Sequence, residues 1–300
     1  MIRAPEAWAV AARRPDGMIV AERRELPRLS TRSWAARVPF LRGILVLFES
    51  LNLGFRSLAW SAEIAAQEPG EDPEGAQGPR ETLGWQLWVW MAVALSFFVA
   101  FFMVVPATVA RLTAGESGLA FGFLEAVVRL GLFIGYLWAI GRMSDIKRVF
   151  SYHGAEHMTI HAYEQEESLS VESVFKYSPE HPRCGTNFLL LVVIISILAF
   201  ALVGNPGWLV LILSRVILIP VIAAIAYEIL KFAGRKQSQV LGRWLAAPGM
   251  WLQKLTTNQP APDQVEVAMT SLLAAVDAAE SDRLVTTGAI PSVVMEALAR

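Results

Sequence analysis

All four histidines and the only cysteine of this 300-residue chain lie between His153 and Cys184. The first group reads Tyr152-His153-Gly154-Ala155-Glu156-His157-Met158-Thr159-Ile160-His161-Ala162-Tyr163-Glu164. After a polar stretch comes His181-Pro182-Arg183-Cys184-Gly185-Thr186. On a helix, His153 and His157 stand one turn apart on one face, the spacing at which two imidazoles reach one metal ion. Glu156 follows His153 by three, so His-x-x-Glu-His is the inverted form of the zinc-protease pattern, whose glutamate acts as general base toward water. The expected cofactor is a divalent metal, with zinc the best match to imidazole and thiolate ligands.

Reach limits who shares that ion. His161 is eight residues beyond His153, about 12 Å along a straight helix, too far for bonds of about 2.1 Å to one ion. The completing ligand must come from another segment: His181, Cys184 and Glu228 are the candidates, and Asp145 is a weaker one. A competing reading makes the histidines a structural clamp or pH gate, hydrogen-bonded to Glu156 and Glu164. Cys184 is either a small buried apolar residue or, with His181 and Arg183 beside it, a thiol of lowered pKa.

The elements that position these residues belong to a membrane protein. The chain is 54% apolar and 18% charged, with a mean hydropathy of +0.44, whereas soluble domains are about a quarter charged. That composition excludes a soluble enzyme and a disordered chain. A net charge of −1 offers no field to hold nucleic acid. A single cysteine excludes an intramolecular disulfide framework. The fold class expected is an all-α polytopic membrane protein of about four transmembrane helices plus interfacial helices, with a short N-terminal β-hairpin.

Seven segments follow from the pattern. Residues 1–37 hold two strands flanking the turn Arg14-Pro15-Asp16-Gly17, and a lone hairpin must dock on something to persist. Residues 38–66 form an amphipathic helix with Arg42, Glu49 and Arg56 seven apart on one stripe, suited to the interface or to packing on the bundle. Residues 67–84, rich in Pro, Gly and acid, read as a linker. Residues 85–141 form a transmembrane hairpin with spans at 85–110 and 119–141, and 142–186 is the His-rich loop. Residues 187–232 form the second hairpin, with spans at 188–203 and 208–230, and 233–300 is an amphipathic tail. In that tail, 240–255 is an interfacial helix broken at Pro248-Gly249, and Asp263 caps a last helix running to about 279.

Lys and Arg number eleven before the first span, five in the central loop and seven in the tail counted from Lys231, just after the last span, against one in the loop after the first span. With positive charge inside, both termini and the His-rich loop face the cytoplasm, in a multi-pass protein of the cytoplasmic membrane. Inside the spans, Glu125 and Arg129 are four apart and make an ion pair. Arg215 and Glu228 are thirteen apart and need partners on other helices. These polar groups carry an alternative function, an oligomeric channel, transporter or scaffold, and Gly131 and Gly135 permit close helix approach in a homo-oligomer. Besides other copies, the lipid bilayer is the expected partner, with no nucleic acid.

The combination YHGAEH, a following AYE, HPRCGT, an upstream RG…LFESLNLG and a late PGMWLQKLTT resembles the bacterial YqhQ-like membrane proteins. That family is a domain of unknown function often labelled a metal-dependent enzyme. The resemblance covers most of the chain. It implies an integral membrane protein of the bacterial inner membrane with a metal site and no established substrate. By motif its positions here are His153, Glu156, His157, Glu164, His181, Arg183, Cys184 and Gly185, and His161 lies outside the motif. Family members carry a Gly-Gly-containing stretch ahead of a Met-Met-Arg segment, which this sequence enters at Met1-Ile2-Arg3. The resemblance therefore implies a truncated or displaced start, and leaves open what pairs with the N-terminal strand. On these residues the expected activity is metal-dependent hydrolysis, with Glu156 as base, of a substrate reached from the membrane interface.

Overall fold

In the computed structural model, the described residues are 1–26, 38, 41–67, 85–114, 118–182, 184–204, 206–235, 240–287 and 290–298. The linker expected over 67–84 falls almost wholly outside them, as does Arg183. The chain opens with three antiparallel strands, β1 (Ile2–Arg3), β2 (Ala7–Arg13) and β3 (Ile19–Glu25), in the order β1-β2-β3. The hairpin is thus a three-stranded sheet: Ile2 pairs with Ala9 and Arg3 with Trp8. The turn forms where Pro and Gly demand it, with Arg14 N donating to Met18 O and Gly17 at φ +90°.

Side chains alternate faces along a strand, and β2 is apolar on both. Ala9 and Ala11 enter the core that also holds Ala155, Met158, Val265 and Met269. Trp8, Val10 and Ala12 pack with Leu53, Trp60 and Ile64 of helix α1 (Leu41–Ala65). Docking between two helical layers is what stabilises a sheet too small to persist alone.

The charged stripe of α1 faces the protein. Arg42 Nε donates to Glu228 at 2.7 Å, Glu49 accepts from Arg3 at 2.8 Å, and Arg56 lies over the Trp8 ring. Its apolar face, with Ile44, Phe48, Leu51 and Leu58, is exposed. Such a helix lays its greasy side outward while its charges pin it to the body, the arrangement of an element packed at a membrane surface.

Among the described residues, four helices are long and apolar enough to cross a membrane: α2 (Trp85–Ala114), α3 (Gly118–Ile140), α6 (Thr186–Val203) and α7 (Trp208–Arg235). Their large side chains, including Phe97, Phe123, Leu202 and Leu209, point outward. Charges inside are matched. Glu125 of α3 binds Arg129 one turn on, and both its oxygens accept from Arg215 of α7, at 2.8 and 3.0 Å. Arg129 and Arg215 both lie over the ring of Phe200 on α6, and Arg129 Nε reaches Phe102 O on α2. One carboxylate and two guanidiniums thereby tie all four spans together. Arg215 does not pair with Glu228, whose partner is Arg42.

Between the hairpins runs α4 (Ser144–Glu164), followed by the short α5 (Val171–Val174). The third span is 18 residues, longer than the 16 expected. After α7, the chain forms α8 (Val240–Thr256), continuous through Pro248-Gly249 rather than broken there. Gly249 permits this contact: a Cβ there would sit 2.1 Å from Asn187 Oδ1, so α8 lies against α6 as only glycine allows. Then come α9 (Pro262–Ala275), α10 (Ala278–Thr287) and α11 (Ser292–Leu298). Asp263 is not the cap of α9. Ala261 precedes the helix, Pro262 opens it, and Asp263 adds its charge to the positive end of the helix dipole. The helix also stops at Ala275 rather than near 279.

Candidate functional site

The middle of α4 presents His153 and His157 one turn apart, their ring centroids separated by 4.3 Å. Its opposite face, Ala155, Met158 and Ala162, is fully buried against α9 and the sheet, which fixes the helix's rotation. Each imidazole is then aimed by a backbone carbonyl. His153 Nδ1 donates to Thr256 O at 2.9 Å, and His157 Nδ1 donates to Pro179 O at 2.6 Å. A carbonyl only accepts, so both Nδ1 atoms carry a proton, and in the neutral imidazole each Nε2 is the nitrogen with the lone pair.

Those lone pairs converge on Cys184. His153 Nε2 lies 3.2 Å from its sulfur, and the ligand atoms of His153, His157 and Cys184 all lie within 4.8 Å of one another. In a tetrahedral zinc site, bonds of 2.1–2.3 Å set donor atoms about 3.6 Å apart, so the three atoms are grouped at the scale a single ion needs. Cys184 sits just before the N-terminus of α6, where Thr186 N and Oγ1 approach its sulfur at 3.4 and 3.2 Å. Helix N-termini favour a thiolate.

Burial alone would push the Cys184 thiol up, but hydrogen bonds and charge from His153 and His157 outweigh it and hold it down at about 5. His153 moves the other way. Burial disfavours its charge, but the Cys184 hydrogen bond and charge raise it above the ordinary imidazole value. The neighbours expected to lower the thiol were His181 and Arg183. The geometry assigns the effect to His153 and His157, because α4 lies across the mouth of α6. In metal-free protein the thiolate signal in the ultraviolet, which belongs to this one cysteine, should titrate near pH 5, and Cys184→Ser should erase it. The linkage sign follows. The depressed thiol stabilises the fold above its ordinary range and loses that contribution as pH falls through about 5. The raised His153 contributes below its ordinary value and loses it as pH rises through the folded value. Titration at the ordinary thiol value would contradict the pairing.

His181, named as a ligand, stands one step outside the group of three. Its ring centroid is 5.7 Å from that of His157 and 4.4 Å from that of His161, and its Nε2 faces Glu164 Oε2 at 3.4 Å. His161 donates through Nε2 to Glu180 O at 2.9 Å and stacks on Tyr177. The four rings form a row from Cys184 toward Glu164. Glu228 is not in the group of three and is bonded to Arg42, and Asp145 lies at the exposed start of α4.

Glu156 lines the same cavity as the ligand group, with Met1, Arg3, His153, His157, Glu164, His181 and Cys184; its volume is about 310 Å³. The Met1 amino group contacts the Glu156 carboxylate.

Sequence reasoning missed the supports. Gln253 of α8 is fully buried: it accepts from His181 N at 2.7 Å and donates to His181 O at 2.9 Å and Asn187 Oδ1 at 2.8 Å. It clamps the backbone between the two motifs. Gly154 lets α4 meet the end of α8, since a Cβ there would lie 2.2 Å from Asn258 O. A glutamine and a glycine inside quoted motifs were the available signal, but the partners of Gln253 lie 72 and 66 positions away and Gly154 meets Asn258.

Residues 38–278 match the family model described as "Protein of unknown function (DUF1385)". The chain is 36% identical over 274 residues to the "Uncharacterized protein YqhQ" of Bacillus subtilis (strain 168), covering 88% of this chain and 85% of that protein. No solved structure matches.

Proposed function

Taking as premise that this chain belongs to the DUF1385 family, we propose that it is a membrane-embedded, metal-dependent hydrolase whose divalent cation is held by His153, His157 and Cys184. One observation carries the reading: both imidazoles are locked through Nδ1 to backbone carbonyls, leaving Nε2 beside a thiol held near pKa 5. Such locking of the distal nitrogen is the usual outer shell of a metal-bound histidine, fixing tautomer and ring angle. In metal-free protein the thiolate is satisfied by protons on those Nε2 atoms, and a cation that takes their place is ligated by all three groups at once.

When bound, the cation would supply Lewis-acid polarisation of water or of a substrate oxygen. The protein's own groups do the rest. Glu156, one residue before His157 and on the same cavity, accepts the proton of the attacking water. Glu164 and His181, 3.4 Å apart, hold a second proton within the cavity for the leaving group. Gln253 keeps the His181 backbone in place.

Elemental analysis of the purified protein tests this. The wild type should carry close to one equivalent of zinc or a similar ion. His157→Ala should lose it, and Glu156→Gln should retain it, because Glu156 is outside the ligand group. A wild type without stoichiometric metal, after purification free of chelators and with metal supplied in growth, overturns the proposal and makes the row of imidazoles a hydrogen-bonded clamp.

A further inference from the structure

Beside the ligand cavity lies a second, larger hollow. This groove of about 560 Å³ is lined by Glu180, Pro182, Ala246, Ala247, Met250, Trp251 and Lys254. The two share one wall, the segment before α6. On the segment before α6, Glu180 and Pro182 face the groove, while His181 and Cys184 face the cavity. On α8, Met250, Trp251 and Lys254 face the groove. Gln253 and the Thr256 carbonyl of the same helix turn toward the histidines. Along this segment His181, held by Gln253, is the residue that stands between the groove and the cavity.

The lining says what ligand the groove fits. It is apolar along Pro182, Ala246, Ala247, Met250 and Trp251, and it bears one cation, Lys254, and one carboxylate, Glu180, which accepts from Ser178 Oγ. The groove adjoins the start of a span, because Thr186 opens α6 four residues after Pro182. Trp244 and Trp251 of α8 are 74% and 56% exposed, the residue type that settles where lipid headgroups meet hydrocarbon. An apolar trough at that depth with an ammonium on its wall is complementary to a hydrocarbon chain attached to a phosphate.

We infer that this groove receives an acyl chain of a phospholipid, with its phosphate at Lys254, and that phospholipid-like amphiphiles are the substrate class of the adjoining cavity. The second half rests on the hydrolase reading above; the first half does not.

The test uses the full chain in nanodiscs of phosphatidylglycerol and phosphatidylcholine. These are doped with a phosphatidylglycerol probe carrying a diazirine on its chain, or with a diacylglycerol probe of the same chain. Labelling should concentrate on peptides containing Pro182, Met250 or Trp251, and the phosphate-bearing probe should label them more. Ala247→Trp, which fills the trough from an exposed position, should remove that label, and Lys254→Gln should abolish the preference between probes. Label spread over the outward faces of α2 and α7 without enrichment at the groove overturns the inference. So does a groove sealed by a second copy of the chain, seen as cross-linked dimers through Trp251. Metal content measured on the same samples separates the two ideas. Metal-free protein labelled in the groove removes the hydrolase reading and keeps the groove; metal-loaded protein without groove label does the reverse.

Discussion

Glu125→Ala is expected to destabilise the protein by roughly 3–5 kcal/mol, the cost of removing one partner from a buried ion pair. Glu125, Arg129 and Arg215 are each no more than 2% exposed, and the carboxylate is the counter-charge to both guanidiniums. Without it, two cations remain over the same Phe200 ring, in a medium where like charges repel with little screening. Because this cluster joins α2, α3, α6 and α7, the loss falls on the whole bundle. Melting in detergent should drop by roughly 10 °C on the usual conversion for a chain of this size. The informative control replaces all three residues with apolar ones of similar volume. Buried ion clusters exchanged as a unit are often neutral or stabilising, so the triple variant should recover most of the lost Tm. A single variant that melts like the wild type would show that the cluster is hydrated and not a pin.

Gly154→Ala is expected to cost about 3 kcal/mol, the upper end for inserting a methyl into a packed contact, and to lower metal affinity as well. The added carbon would meet Asn258 O at 2.2 Å. That obstacle is a backbone carbonyl, and Asn258 N is itself bonded to Phe150 O at 3.0 Å, so it cannot simply swing away. Forcing α4 off α8 moves His153 away from Thr256 O, the bond that orients its ring. Losing such an outer bond typically weakens metal binding 10- to 100-fold. Thermal melting and metal titration measured together check this. A variant with lowered Tm but unchanged metal affinity would show that the ring is oriented independently of that contact.

The membrane class was legible from composition, and the four spans from their uncharged runs, because hydrocarbon tolerates few exceptions to an apolar stretch. The His153–His157 pair was legible because helical period places them on one face within a single element. Cys184 was a candidate on clustering alone, as were His181 and Glu228. Their separation into near neighbour, outer neighbour and unrelated residue depended on how α6, α7 and α8 cross, which no local pattern states. Arg215 makes the same point: its charge announced a partner on another helix, but not that the partner was Glu125. The stripe on α1 was seen but not its direction. An amphipathic helix shows two faces without saying which meets protein, and here Arg3, Trp8 and Glu228 drew the charged face inward.

By itself, then, the order of residues determined which segments lie in lipid, which helix bears the histidines and which of them stand one turn apart, since these rest on period and hydropathy within continuous stretches. The tertiary structure alone decided that Cys184 meets His153 and His157, that Gln253 and two backbone carbonyls hold the site, and that an apolar groove shares its wall. Those contacts join residues 20 to 100 positions apart, and only the packing of whole helices, permitted at Gly154 and Gly249, brings them within bonding distance.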